Sequence, residues 1–179
     1  ACVEVSTADA VAMRLYREAS PEGTAYFADK TPRYYFICEE IVRTFDDAAF
    51  VFLWRQPLAS AASMISRWGR GRWGVYTVHH DLYTAPRRLV EAREAAGERA
   101  VDIRYESLVG EPEATLDRLA GALGLDLAGG VREAMIGGFA GVELSGSMGD
   151  PTGRRLYDSL STEPLEKWKK AVSNRVRRG

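Results

Sequence analysis

The stretch Phe50-Val51-Phe52-Leu53-Trp54-Arg55-Gln56-Pro57-Leu58-Ala59-Ser60-Ala61-Ala62-Ser63-Met64-Ile65-Ser66-Arg67-Trp68 changes its pattern at one arginine. Phe50 to Trp54 is wholly apolar, and all but Leu53 are β-branched or aromatic. A run without polar alternation predicts a strand covered on both faces, as in a parallel sheet. Pro57 suits the first turn of a helix, where its missing N–H is not needed. Leu58, Ala61, Ala62 and Ile65 then recur at i, i+3, i+4 and i+7, the stripe of a helix packed on that sheet. Arg55 therefore falls at the carboxyl end of a buried strand, just before a helix N-terminus. Ligands of open α/β sheets bind at that edge, and a helix N-terminus favours anions. Ser63 lies about 140° round the helix from the apolar stripe, at about 100° per residue, so the core does not require it. Arg55, the helix start and Ser63 together read as a phosphate clamp: a forked guanidinium, backbone N–H groups and a hydroxyl donor. The plainer alternative is a surface arginine and a tolerated helix serine.

Upstream, Ser6-Thr7-Ala8-Asp9 offers a helix N-cap with a carboxylate in the first turn. Val11, Leu15 and Ala19 recur every four residues, which predicts a helix to Ser20, stopped by Pro21 and Gly23. Ala25 to Ala28 is expected as a short strand, with Lys30 after it and Pro32 breaking it. Tyr34 to Phe45 is expected as one helix that buries Tyr35, Cys38, Ile41, Val42 and Phe45. Downstream, residues 69–74 read as a surface loop, and Val75 to Ala96 as mostly helical with a kink or break at Pro86. Ala100 to Tyr105 reads as a strand with Val101, Ile103 and Tyr105 on one face. Ala114 to Leu123 reads as a helix carrying Leu116, Leu119, Ala120 and Leu123. Glycine is frequent from Leu127 to Arg155, where helix fragments and a mobile loop are expected. Ser161-Thr162-Glu163-Pro164 opens a last helix with Leu165, Trp168 and Val172. This order predicts an α/β fold of three layers, a mainly parallel central sheet flanked by helices.

The 179 residues suffice for one domain with a real core and are too few for two comfortable ones. Lys+Arg number 24 against 25 Asp+Glu, so the chain lacks the basic excess of a general nucleic-acid binder. Basic clusters are local: Arg67 to Trp73, which interleaves arginine and tryptophan, and Arg175 to Arg178. They read either as solvated surface or as contacts to an anionic cofactor or acceptor. Cys2 and Cys38 form no Cys-x-x-Cys unit. Two thiols in a chain this size fit a reducing, cytoplasmic setting, and a disulfide between them stays open. His79 and His80 are adjacent, an arrangement poorly suited to a shared metal, so no zinc site is expected. No run approaches the roughly 18 apolar residues of a membrane span, and no secretory leader is expected.

Arg55-Gln56-Pro57 followed by Ser63, eight residues after the arginine, resembles the 3′-phosphate-binding segment of sulfotransferases that use 3′-phosphoadenosine 5′-phosphosulfate (PAPS). Two further segments carry the resemblance. Asp29-Lys30-Thr31-Pro32-Arg33-Tyr34-Tyr35-Phe36 is similar to the Glu/Asp-Lys-Thr/Ser-Pro-x-Tyr element of carbohydrate-type and bacterial members. Arg104-Tyr105-Glu106-Ser107-Leu108-Val109, continuing through Pro112 to Leu123-Gly124-Leu125, is similar to their Tyr-Glu-Asp-Leu segment, with Ser107 where Asp is usual. The three come in the family's order over roughly residues 25 to 125.

The resemblance implies a P-loop-like sulfotransferase fold and one sulfotransferase domain over residues 1–179. It implies in-line transfer of a sulfuryl group from PAPS to a hydroxyl of a small molecule, lipid or sugar, leaving adenosine 3′,5′-bisphosphate. Arg55 and Ser63 match the family's 3′-phosphate ligands, Tyr105 its adenosine contact, and Arg154 the glycine/basic loop that closes over the nucleotide. Lys30 matches the lysine beside the reacting centre. Glu4 is the positional candidate for the catalytic base, and His79 and His80 at the acceptor are the others. No Gly-x-x-x-x-Gly-Lys-Ser/Thr loop occurs. The expectation is therefore a chain without the family's first strand and 5′-phosphosulfate loop, either a truncated one or a member that binds without catalysing. The competing readings are a P-loop-related kinase or nucleotide-binding protein and a non-catalytic module on the same scaffold. Acceptor identity and oligomeric state are not legible.

Overall fold

The computed structural model describes residues 8–68, 75–127, 130–137 and 161–176. The chain groups into two compact units, Ala1–Phe50 with Tyr83–Ala100, and Val51–Leu82 with Val101–Gly179. The class is α/β: helices flank a parallel sheet, whose described strands are β1 (Phe50–Trp54) and β2 (Ala100–Arg104). Among the described residues no helix is long and apolar enough to cross a membrane.

The first unit is built on α1 (Ala8–Ala19), α2 (Cys38–Thr44) and α4 (Ala85–Ala96). Small side chains set the α2–α4 contact. Ala85, Ala92 and Ala96 lie on one helical face and are buried, so the backbones approach closely around Tyr35, Cys38 and Val42. Pro86 sits in the first turn of α4, where it costs no hydrogen bond, and a 3-10 turn (Val75–Val78) and a π turn (His80–Thr84) precede that helix. The run from Val75 is helical as expected, and its pitch changes from 3-10 to π before it becomes α at Ala85, one residue ahead of the proline. Arg99 closes the far end of α2. Its guanidinium donates to the carbonyls of Val42 at 3.1 Å and Phe45 at 2.5 Å and lies 5.1 Å from the Phe50 ring. A cation on the last carbonyls of a helix satisfies orphan acceptors and complements the helix dipole.

The second unit contains most of the sheet, α3 (Pro57–Trp68), α5 (Tyr105–Gly110), α6 (Pro112–Leu123), α7 (Val131–Gly137) and α8 (Glu163–Val176). Phe52 and Ile103 are the buried residues of the two strands, and Trp54 Nε1 donates to Asp102 Oδ1 at 2.7 Å across them. Helix α3 buries Ala59, Ala61, Ala62 and Ile65 and packs on α8. Helix α6 ends in a Schellman motif. Gly124 adopts φ +64°, Leu125 N–H donates to Ala120 at 2.9 Å, and Gly124 N–H to Gly121 at 3.4 Å.

Several expectations are corrected. Residues 24–30 form no strand and are exposed. A strand needs a ladder partner, and among the described residues this segment pairs with none. Side chains hold it instead, with Tyr16 stacked on Phe27 at 4.2 Å between ring centres. The helix expected over Tyr34–Phe45 divides into a 3-10 turn (Tyr34–Phe36) and α2, because Ile37 leaves helical geometry at φ −134°. Strand β2 stops at Arg104, and Tyr105 opens a helix rather than closing the strand. Val51 and Leu53 are 46% and 54% exposed, so one face of β1 is uncovered among the described residues. Leu58 points outward and Ala59 takes its place in the core, a small rotation of the predicted stripe.

Candidate functional site

The two parallel strands end side by side, and each is followed at its carboxyl end by a candidate site residue. Arg55 follows β1 directly, and Tyr105 follows β2 directly. The Arg55 guanidinium carbon lies 4.4 Å from the centre of the Tyr105 ring. That distance is a cation–π contact, worth about 0.5–2 kcal/mol depending on desolvation. Arg55 Nε is buried and has no hydrogen-bond partner among the described residues. A buried donor left unpaired costs about 1–3 kcal/mol, so this N–H is poised for an acceptor that the described residues do not supply. Arg55 and Tyr105 border a cavity of about 310 Å³, walled by the start of α3, the start of α5 and the first turns of α8.

The start of α3 is organised by its own residues. Gln56 is the N-cap: its Oε1 accepts from Ala59 N–H at 2.8 Å, and its carbonyl accepts from Ser60 N–H at 3.1 Å. The N–H of Gln56 donates to Glu106 Oε1 at 2.8 Å. The protein therefore uses two backbone donors expected in the phosphate clamp, and Pro57 has none to offer. Glu106 escaped the sequence reading of the site. Its signal was its place directly after Tyr105, which brings a carboxylate to the helix N-terminus where negative charge is favoured. Ser63 stands on the exposed face of α3, as its angle on the helix predicted, and is not among the residues bordering the cavity.

Lys30 belongs to the other unit and is exposed in the irregular segment 24–30. The residue before it is firmly held. Asp29 Oδ2 accepts from Tyr16 O–H at 2.8 Å and from Tyr34 O–H at 2.5 Å. Burial pushes the Tyr16 phenol up to about 12, with the Asp29 hydrogen bond and charge adding to the effect. The Tyr34 phenol is also raised, first by its hydrogen bond to Asp29. Both phenols thus stay protonated donors at neutral pH and fix the carboxylate beside Lys30.

His79 and His80 lie against each other. Their ring centres are 3.8 Å apart, tilted by 41°. His79 Nδ1 lies 3.0 Å from the carbonyl oxygen of Tyr76, an acceptor only, so Nδ1 carries the proton. The neutral ring then presents Nε2 as its basic atom. Among the described residues no group of three or more His, Cys, Asp or Glu is arranged to hold a metal ion. Glu4, Arg154 and the Arg/Trp loop at residues 69–74 lie outside the described residues.

Residues 1–129 match the profile of the sulfotransferase family. The chain is also similar to the nodulation protein NoeE of Sinorhizobium fredii (strain NBRC 101917 / NGR234). The two are 31% identical over a 178-residue alignment that covers 86% of this chain and 38% of that protein. No solved structure matches.

Proposed function

Because the chain belongs to the sulfotransferase family, we propose that it acts in sulfuryl transfer from PAPS to a hydroxyl of a small molecule, lipid or sugar. The observation that carries this reading is Arg55 at the carboxyl edge of the sheet, its guanidinium over Tyr105 and its buried Nε without a partner among the described residues. A phosphate oxygen supplies the missing acceptor, and the aromatic ring beside it supplies a face for a nucleoside. The residues therefore fit the cofactor: Arg55 for the 3′-phosphate and Tyr105 for the adenosine, with Ser63 and Arg154 assigned to the same cofactor by resemblance alone. PAPS, when bound, brings the activated sulfuryl group.

The remaining roles belong to the chain's own side chains. Arg55 binds and orients, since a guanidinium fork fixes direction as well as charge. Lys30 places a cation where negative charge develops on oxygens, which lowers a barrier most in a site closed to water. Tyr16 and Tyr34 hold the adjoining Asp29 so that Lys30 starts from a fixed backbone. Proton removal from the acceptor hydroxyl falls to Glu4 or to Nε2 of His79 or His80. The domain is read as a single sulfotransferase domain working in the cytoplasm, a setting that suits the free thiol of Cys38.

Calorimetric titration of the full-length protein with adenosine 3′,5′-bisphosphate, beside ATP, tests this. A charge-assisted contact is worth about 1.5–3 kcal/mol, so Arg55→Ala weakens the bisphosphate about ten- to a hundredfold. Arg55→Lys keeps the charge without the fork and falls between the two. Equal affinity for ATP and the bisphosphate would move the assignment to a general nucleotide-binding protein. Loss of all binding by wild type would remove it.

A further inference from the structure

The wall of the cavity opposite Arg55 is supplied by α8, a helix that none of the family-like segments includes. We infer that α8 is part of the ligand site: Lys169 is a second cation for the anion held by Arg55, and Glu166 is the internal carboxylate that holds Lys169 until the anion arrives. This rests on the proposed nucleotide-binding role of Arg55.

Charge inside the cavity carries the inference. Among the described residues two cations and two carboxylates border it: Arg55, Lys169, Glu106 and Glu166. Glu106 is committed to the N–H of Gln56 at the start of α3, which neutralises part of its charge. Glu166 Oε1 takes one of the three N–H donors of Lys169, at 2.6 Å and three residues away on the same helix. Glu166 and Lys169 are 69% and 56% exposed. An exposed pair of this kind adds little to the stability of a helix. A phosphate monoester carries up to two charges and sits beside a guanidinium whose Nε is already desolvated. The phosphate is the stronger partner, so Lys169 exchanges Glu166 for it at little cost. The long flexible stem of lysine suits such a swing, and Arg55, held on Tyr105, is the fixed element of the pair. Trp168, on the same turn of α8, adds an aromatic wall to the cavity. A volume of about 310 Å³ matches the lower range of small-ligand sites, enough for one phosphorylated nucleoside portion.

The two substitutions have opposite expected signs. Lys169→Met, titrated with adenosine 3′,5′-bisphosphate in the full-length protein, weakens binding about tenfold and leaves adenosine 5′-monophosphate nearly unchanged. Glu166→Gln releases Lys169 and removes a like charge facing the phosphate, so it strengthens bisphosphate binding several-fold. A gain in affinity cannot come from a damaged fold, and circular dichroism of both variants is expected to match wild type. If Arg55→Ala weakens binding while Lys169→Met and Glu166→Gln stay within twofold of wild type, Lys169 and Glu166 are only a surface pair and the inference fails, with the Arg55 assignment intact. Absence of bisphosphate binding in wild type overturns both.

Discussion

Tyr16 illustrates what one residue does for a segment that lacks regular structure. Residues 24–30 have no strand partner among the described residues, and Tyr16 ties them down twice, by stacking on Phe27 and by donating to Asp29. The phenol titrates near 12 in the folded chain, against an ordinary value near 10. A folded-state value above the unfolded one means the neutral phenol is preferred in the native protein. The associated stability is complete below about pH 10 and is lost as pH rises through about 12. Thermal unfolding of wild type is expected to lose midpoint temperature more steeply than Tyr16→Phe over that window. At neutral pH the variant is less stable by about 1 kcal/mol, the ordinary worth of a hydrogen bond. Parallel pH profiles for the two proteins would show that Tyr16 is not held in this way. The same reasoning explains why Lys30 was readable as a motif residue and Asp29's double clamp was not. Tyr16 is thirteen positions from its acceptor, and no local periodicity links them.

At the scale of elements, the end of α6 offers the sharpest comparison. Gly124 and Gly121 are three residues apart, and an added methyl group would meet nothing within 4 Å at either. They differ in backbone conformation. Gly124 is at φ +64° in the Schellman turn, whereas Gly121 lies within the helix. Gly124→Ala is expected to destabilise by about 1 kcal/mol, since an L side chain strains the left-handed region. Gly121→Ala is expected to stabilise by up to about 1 kcal/mol, by lowering the entropy of the unfolded chain and raising helix propensity. Urea midpoints with unchanged slopes would read both signs, and a stabilising Gly124→Ala would contradict the turn assignment. Element identities were largely legible because each rests on nearest neighbours: the apolar run of β1, Pro57 and Pro112 at helix starts, Gly124 at a helix end. Boundaries failed where a longer-range partner decides. Tyr105 has strand propensity and follows a strand, yet it begins α5 and stands beside Arg55.

For the whole molecule, the most extensive contact between described helices is that of α2 with α4. Ala92 is 0% exposed and Val42 1% exposed at this contact. Ala92→Leu adds three heavy atoms to a close approach of two backbones and is expected to cost about 1–3 kcal/mol through overpacking. Ala95→Leu, one turn position away on the exposed side of the same helix, is expected to change stability by less than about 0.5 kcal/mol. Equal effects in a denaturant titration would mean the helices are not packed through that face. Coverage of β1 differs from the expectation. An all-apolar strand reads as buried on both sides, while Val51 and Leu53 are about half exposed among the described residues.

Residue pattern alone carries the α/β class, the place of Arg55 between a strand and a helix, and the resemblance that the family profile bears out. Each depends on short-range chemistry: side-chain pattern along a few residues, a proline that fits only a first turn, an ordered set of motifs. What Arg55 faces depends instead on how distant segments pack. Tyr105 is fifty residues away in sequence and Lys169 more than a hundred. They border one cavity because parallel strands end at a common edge and because α8 packs back on α3. Burial of the Arg55 Nε, and the carboxylates that compete for the neighbouring donors, follow from that closure and from nothing local to the arginine.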